Sequence, residues 1–150
     1  MVVSETQELN VNYRTFSIPV RVYYEDTDAG GIVYHATYLR FLERARTDWL
    51  RYLGFHHQRL ASEFGVHFVV QSLEVKYLRP ARLDDLLAAT ASIESLGRCR
   101  VVFRQTIERD DETVARASVS AACLELRSGR PVPMPGVLRT RLQEGGRALG

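Results

Sequence analysis

Cysteine is scarce in this 150-residue chain, which contains only Cys99 and Cys123. The two do not form a C-x-x-C pair and both fall in strand-like runs, so we expect reduced core residues and no disulfide framework. No stretch approaches the ~18 consecutive apolar residues of a membrane helix, and residues 1–6 lack the basic and apolar regions of a signal peptide. These absences predict a cytoplasmic protein without a membrane span.

An excess of charge of one sign is also missing. Lysine and arginine number 20 against 18 acidic residues, a formal charge of +2, which is too weak for a general nucleic-acid surface. His56, His57 and His67 lack the spaced carboxylates or thiolates of a zinc site, and no serine stands in a G-x-S-x-G motif. We therefore predict no bound metal, no nucleic-acid partner and no serine-hydrolase chemistry.

The chain has instead a clear strand pattern. Apolar and polar residues alternate, as in half-buried strands, over residues 16–24, 66–78, 86–94, 101–107 and 114–126. Pro19 indicates that the first of these strands lies at a sheet edge or starts irregularly. The connections between the last four are short, so consecutive strands should pair antiparallel.

One long helix is predicted between the first two strands, over residues 33–53. Apolar residues recur there at helical spacing, at Tyr38, Leu42, Ala45, Trp49 and Leu53. A helix of this length in so small a chain must lie against a large apolar surface, and the sheet is the obvious candidate.

The length fits one domain, which we place over residues 14–127. Residues 1–13 show no clear period and are predicted to be a loose leader. In the segment 128–150, alternating prolines at Pro131, Pro133 and Pro135 exclude regular helix or central strand at its start. We expect this segment to be a mobile C-terminal tail.

The junction between the first strand and the helix carries two carboxylates, Asp26 and Asp28, followed by Gly30 and Gly31. Such residues often do no more than form a turn. Here the turn leads into a helix N-terminus, where unpaired N–H groups and the helix dipole favour negative charge. The junction is therefore a candidate reaction centre.

The residues of this junction form a long motif with those that follow it. The motif is Tyr24-x-Asp26-Thr27-Asp28-Ala29-Gly30-Gly31-Ile32-Val33-Tyr34-His35, followed by Tyr38-Leu39-Arg40-Phe41-x-Glu43-x-Ala45-Arg46. It resembles the 4-hydroxybenzoyl-CoA thioesterase family, and within that family most closely the YbgC-like branch associated with the Tol-Pal cluster. The resemblance covers residues 16–126. It implies an α+β hotdog fold, in which a five-stranded antiparallel sheet wraps around one long central helix.

The resemblance also implies an activity, the hydrolysis of an acyl-CoA thioester to a free acid and coenzyme A. Asp28 matches the family's catalytic carboxylate, and the N–H of His35 matches the amide that polarises the thioester carbonyl. Asp28 acts as nucleophile or as general base, and the sequence does not separate the two roles. The His35 side chain is expected to help in proton transfer, and Asp26 is expected to hold the turn.

The substrate-binding residues implied by the motif are Gly30, Gly31, Ile32, Val33 and Tyr34, which would lie along the acyl group. The glycines would let the backbone approach the substrate closely.

Basic residues are expected at the coenzyme A phosphates, since arginine is a good phosphate ligand. Arg98 and Arg100 match a basic cluster of the family, and Arg79 and Arg82 are second candidates. Glu43 is a reserve catalytic residue, because another hotdog branch uses a helix-borne carboxylate. Its arginine neighbours in the sequence favour an ion pair instead.

No cofactor is expected, because coenzyme A is part of the substrate. The expected partners are an acyl-CoA thioester, an acyl carrier protein as a further substrate carrier, and a second copy of the chain in a homodimer or homotetramer. Three alternatives stay open. One is a thioesterase for an aromatic substrate such as 4-hydroxybenzoyl-CoA or dihydroxynaphthoyl-CoA. Another is a binding module for a carrier protein or an envelope complex, with incidental turnover. The third is a hotdog hydratase, which is disfavoured because the Asp-Gly turn leads straight into the long helix as in the thioesterases.

Overall fold

The computed structural model describes residues 15–145 of the chain. Five antiparallel strands form one sheet in the order β1-β3-β4-β5-β2. Their bounds are Phe16–Arg21 (β1), Val66–Tyr77 (β2), Leu86–Leu96 (β3), Arg100–Arg109 (β4) and Glu112–Glu125 (β5). The predicted strands are confirmed to within three residues at each end. The leader predicted over residues 1–13 lies outside the described residues.

The sheet wraps around one long helix, α1, which spans Thr37–Tyr52. This is the hotdog architecture that the resemblance implies, and the predicted fold class is confirmed. A 3₁₀ turn, Tyr24–Asp26, follows β1, and a short helix, His57–Arg59, continues as a π-helical turn over Leu60–Phe64. A second helix, α2, spans Gly136–Gly145.

The apolar stripe of α1 holds it against the sheet. Its buried residues recur every three to four positions, at Tyr38, Phe41, Leu42, Ala45, Trp49 and Leu50. The helix packs chiefly on β3, where Ala89 and Ala91 are fully buried and their small side chains admit a close approach. Trp49 is 1% exposed, so its replacement by alanine would cost about 3 to 5 kcal/mol.

The helix begins four residues later than predicted, at Thr37 instead of residue 33. The N–H of Val33 donates to the Ala81 carbonyl at 2.8 Å, and the N–H of Tyr34 donates to the Asp26 carbonyl at 3.0 Å. These bonds to distant residues hold 33 and 34 in an extended bridge, which local periodicity does not reveal.

The prediction of an unstructured tail is wrong for residues 136–145. Met134, Leu138 and Leu142 are buried in the same core as α1. Arg139 donates to the Leu96 and Gly97 carbonyls, and Arg141 to the Leu53 carbonyl at 3.1 Å. The packed domain therefore extends well beyond residue 127.

The two sheet edges differ in character. β1 lies at one edge and carries Pro19, as predicted. β2, with 12 residues, is the other edge. Five apolar residues in or beside this strand are each more than one third exposed: Val69, Val70, Leu73, Tyr77 and Leu78. β2 is thus a long apolar edge with one row of backbone groups unpaired within the described part of the chain.

Candidate active site

Asp26 holds the turn that follows β1. Its Oδ2 accepts a hydrogen bond of 2.8 Å from the N–H of Tyr23, and its side chain is 8% exposed. Its carbonyl accepts from Tyr34 and so forms part of the bridge ahead of α1. Asp26 has the turn role predicted for it.

Asp28 presents its carboxylate to solvent from the next turn. Its Oδ1 accepts from the N–H of Gly30 at 2.8 Å, and its backbone exchanges hydrogen bonds with Gly31 and Ile32. Gly31 has φ +81°, a conformation that favours glycine. A Cβ on Gly30 would lie 3.2 Å from Asp28 Oδ1, so Gly30 leaves room for this carboxylate.

His35 lies in the turn between the bridge and α1. The helix starts at Thr37 with Ala36 as its N-cap, so the His35 amide precedes the first helical turn. No acceptor for this N–H lies within residues 15–145. Within the described part of the chain, the amide is therefore an unused donor close to the positive end of the helix dipole.

Two tyrosines hold the region around His35. The hydroxyl of Tyr77 donates to the His35 carbonyl at 2.8 Å, and the hydroxyl of Tyr38 accepts from the N–H of Ala81 at 3.0 Å. Their rings lie 5.4 Å apart, edge to face, and the Tyr77 ring meets the His35 imidazole edge-on at 6.4 Å. Burial raises the pKa of both tyrosines, so both hydroxyls stay protonated at neutral pH.

These groups line one open cleft of about 320 Å³. Its lining residues are Asp28, Ile32, Val33, His35, Tyr38, Tyr77, Leu78, Arg79 and Pro80. Four of the first-choice predicted site residues, Asp28, Ile32, Val33 and His35, therefore line the cleft, as does Arg79 from the second-choice pair. Gly30, Gly31 and Tyr34 lie next to these residues in the chain and do not line it themselves.

Arg98 and Arg100 do not reach this cleft within one chain. The cleft lies beside Arg82, ahead of the first residue of β3, whereas Arg98 follows the last residue of β3. The two ends of an 11-residue strand are about 33 Å apart. Arg98 and Arg100 lie at the opposite end of the sheet.

Other arginines lie beside the cleft, on the connection between β2 and β3. Arg79 lines it and pairs with Glu112 at 3.4 Å. Arg109 donates to the Pro80 carbonyl at 3.0 Å and to Asp85 Oδ2 at 2.8 Å, so it fixes this connection from β4.

Glu43 faces a different part of the molecule. It is exposed on α1, and it forms no ion pair with any residue of the range 15–145. The predicted ion pair is therefore wrong. Arg46, the neighbour one turn along α1, bonds Gln105 Oε1 at 2.9 Å instead.

Sequence reasoning treated Tyr77 and Gln105 only as members of alternating strands. Tyr77 gave no separate signal, because an aromatic residue on an inward strand face is ordinary core. Gln105 did give one, since it is a polar residue between the buried Phe103 and Ile107 on the inward face of β4. Buried amides are nearly always hydrogen-bonded, so a partner on α1 could have been sought.

Residues 30–116 match the family model described as the thioesterase superfamily. The match begins two residues after Asp28. No helix within residues 15–145 is both long enough and apolar enough to cross a bilayer.

The chain is also similar to individual proteins over most of its length. It is 47% identical to the acyl-CoA thioesterase YbgC of Haemophilus influenzae, over 80% of this chain and 88% of that protein. It is 45% identical to the acyl-CoA thioester hydrolase YbgC of Escherichia coli, over 83% of this chain and 93% of that protein. Among solved structures, a probable thioesterase from Bartonella henselae superposes with a TM-score of 0.78 at 36% identity, covering 81% of this chain and 100% of that one.

Proposed function

Because the chain belongs to the thioesterase superfamily, and within it to the YbgC acyl-CoA thioesterases, we propose that it hydrolyses acyl-CoA thioesters through Asp28 and His35. The observation that carries the proposal is the placement of these two residues. The Asp28 carboxylate and His35 line the same cleft, and the His35 N–H has no acceptor within the described residues.

The His35 amide is the proposed donor to the thioester carbonyl. The carbonyl oxygen gains negative charge as its carbon is attacked, and a preformed N–H donor lowers the energy of that state. The positive end of the α1 dipole lies nearby and also stabilises this negative charge. The donor is a backbone group, so it is retained when the side chain of residue 35 is changed.

Asp28 has two routes to the acid product, and both are kept. As a nucleophile, its oxygen bonds to the carbonyl carbon, the C–S bond breaks, and water then hydrolyses the mixed anhydride. As a general base, it takes a proton from water while the water oxygen attacks, and coenzyme A leaves as the thiol. Either route consumes one water and restores Asp28.

The imidazole of His35 is the proposed proton carrier to the leaving thiolate. It is exposed beside the cleft and packs against the rings of Tyr34, at 4.5 Å, and Tyr77. Its protonated form supplies the proton that the sulfur needs when the C–S bond breaks.

The coenzyme A phosphates are assigned first to Arg79 and Arg82, which lie beside the cleft in the same chain. Arg98 and Arg100 can serve only a cleft that belongs to a second copy, because of their distance along β3. A phosphate-binding role for Arg98 and Arg100 therefore requires a homo-oligomer.

The exposed edge of β2 supports that oligomer. A long apolar edge strand pairs readily with another strand, and a second copy of β2 would complete the hydrogen bonds along its 12 residues. Sedimentation of the wild type and of Leu73→Asp tests the pairing. A dimer that becomes a monomer in the variant supports it, and a monomeric wild type contradicts it.

The cytoplasmic location and the use of acyl carrier protein stay predictions. A coenzyme A substrate agrees with the first. The second is tested by including acyl carrier protein thioesters in the substrate panel.

The decisive experiment measures thiol release from short, long and aromatic acyl-CoA thioesters. Asp28→Asn should lower kcat by about a hundredfold or more, because amide nitrogen and oxygen are poor nucleophiles and bases. Asp48→Asn is the matched control, since Asp48 lies on α1 away from the cleft and pairs with Arg51. It should keep the wild-type rate.

A folded Asp28→Asn variant with wild-type activity would overturn the assignment. Mass spectrometry after rapid mixing separates the two routes, since an acyl adduct on the peptide that contains Asp28 forms only if Asp28 is the nucleophile.

A further inference from the structure

A second cavity lies between α1, the sheet and α2, and we call it the inner chamber. It has a volume of about 80 Å³, and its apolar walls include Leu50, Phe68, Val101, Phe103 and Leu142. A water molecule occupies about 30 Å³ of liquid, so the chamber has room for two or three heavy atoms. That is enough for the end of a chain and too little for a whole acyl-CoA.

Two charged residues, Arg46 and Glu43, line this largely apolar space, together with Thr47 and His57. Arg46 is half-buried and lines the chamber, and its Nη1 donates to Gln105 Oε1 at 2.9 Å. No carboxylate within residues 15–145 lies close enough to form an ion pair with it. Burial lowers its pKa, and the charge of Glu43 only partly offsets this. A guanidinium has five N–H donors, and most of those on Arg46 have no protein acceptor in the described part of the chain.

Gln105 fixes the direction of that cation. It is 0% exposed, and its Nε2 donates to the carbonyls of Leu42 and Thr90, each at 3.0 Å. Both amide hydrogens are therefore used, and Oε1 must point at Arg46. The network ties α1 to β3 and β4 and holds the guanidinium at the chamber.

A groove leads to the chamber along α1 from the direction of the cleft. It is lined by Leu39, Arg40, Leu42, Leu73 and Val119, and it shares Glu43, Arg46 and Val70 with the chamber. Tyr38 of the cleft directly precedes Leu39 on α1, and Tyr77 follows Leu73 by four residues on β2, although the groove and the cleft share no lining residue. From Thr37 to Arg46 the helix rises about 14 Å. An acyl chain of medium length would span this distance.

We propose that Arg46, held by Gln105, binds an acceptor oxygen at the far end of the acyl group. The preferred substrates are then medium-chain acyl-CoA thioesters with a terminal oxygen acceptor, a hydroxyl ahead of a carboxylate because the Glu43 carboxylate lines the same chamber. A plain alkyl end would bury the guanidinium without giving it an acceptor, whereas a terminal oxygen accepts the free N–H donors. This inference rests on the proposed thioesterase function.

The test compares kcat/KM for dodecanoyl-CoA with its terminal hydroxy and terminal carboxy analogues, in the full-length chain. The wild type should favour an oxygen-bearing analogue by about tenfold or more, since a hydrogen bond to a charged group carries that much selectivity. The two analogues separate a neutral acceptor from an anionic one. In Arg46→Met the ratio to dodecanoyl-CoA should fall to about one.

The ratio is measured within each variant, so a general loss of activity or of folded protein cancels. Arg44→Met is the matched control, because Arg44 lies on α1 over the Phe41 ring and does not line the chamber. It should keep the wild-type ratio.

Two outcomes overturn the inference: a wild type without preference, or an Arg46→Met ratio equal to that of the wild type. Failure of the proposed function has a different signature, since the wild type would then hydrolyse all three thioesters no faster than Asp28→Asn.

Discussion

The hydroxyl of Tyr77 donates a 2.8 Å hydrogen bond to the backbone carbonyl of His35. This bond joins the last residue of β2 to the turn ahead of α1. Because the carbonyl and the N–H of His35 belong to the same residue, the bond restricts the direction in which that N–H points.

Tyr77→Phe should therefore lower kcat by about fivefold and leave KM nearly unchanged. The value corresponds to one neutral hydrogen bond of about 1 kcal/mol that orients the donor in the transition state. Steady-state kinetics on a single acyl-CoA measures both parameters. Tyr52→Phe, which changes an exposed tyrosine whose ring lies tilted against that of Phe16, is the control and should leave kcat unchanged. A fivefold rise in KM at constant kcat would contradict the positioning role.

Alanine substitutions at Gly30 and Gly31 should affect different properties, the first the catalytic rate and the second the stability. A Cβ at residue 30 would meet Asp28 Oδ1 at 3.2 Å, so Gly30→Ala should displace the carboxylate and lower kcat at least tenfold with little loss of stability. Gly31 has open space around it but φ +81°, so Gly31→Ala should lower the free energy of unfolding by about 1 kcal/mol. Paired kinetics and urea unfolding on both variants check this. Equal losses of activity in the two would contradict it.

The Asp85–Arg109 pair should make stability depend on pH in acid. Burial alone would raise the pKa of Asp85, but hydrogen bonds from the Arg82 N–H and the Arg109 guanidinium together lower it. A carboxyl group with a lowered folded pKa stabilises the protein fully above its unfolded pKa of about 3.9, and the effect is lost as pH falls through the folded value.

Asp85→Asn should accordingly reduce the free energy of unfolding by about 1.5 kcal/mol at pH 7, and the difference from wild type should shrink below pH ~3.9. Urea unfolding at neutral and acidic pH measures it. Asp111→Asn, at an exposed carboxylate, should show no such difference. If the difference in unfolding free energy between wild type and Asp85→Asn stayed constant down to the lowest pH, the Asp85–Arg109 pair would not be its source.

Leu142→Ala should destabilise the protein by about 3 kcal/mol, because Leu142 is 0% exposed and its removal leaves a cavity. Val137→Ala on the same helix should cost less than about 0.5 kcal/mol, since Val137 is 53% exposed. Thermal unfolding of both variants tests whether α2 belongs to the core. Identical melting temperatures would contradict the packing of α2.

Periodicity was a good guide wherever burial repeats regularly along the chain. The strands and the apolar stripe of α1 follow from it, because each residue's side is set by its own position in the repeat. Periodicity failed where contacts with residues distant in sequence determine the local structure. The bonds from Val33 and Tyr34 to Ala81 and Asp26 delay the start of α1, and no local pattern contains them. In α2 only Leu138 and Leu142 are fully buried, which is too sparse a stripe to stand out after three prolines.

The candidate site divides in the same way. That Asp28 and His35 lie close together could be predicted because they share one contiguous motif, and both line the cleft. The distance of Arg98 and Arg100 from the cleft follows from strand direction, and the antiparallel pairing of β3 with β4 already implied it. The Arg46–Gln105 bond joins residues 59 positions apart, and only the fold brings them together.

The packing of α2 has a consequence for synthesis on the ribosome. Residues 136–145 are made after all five strands, yet Arg141 bonds the carbonyl at the end of α1 and Arg139 bonds two carbonyls at the end of β3. In a nascent chain that has already formed its sheet, Leu142 is not yet present at the inner chamber, whose walls include Leu50 and Phe103. Until residues 136–145 emerge, the apolar walls of the chamber are not covered by α2. We expect the nascent chain to be most prone to aggregate during that interval.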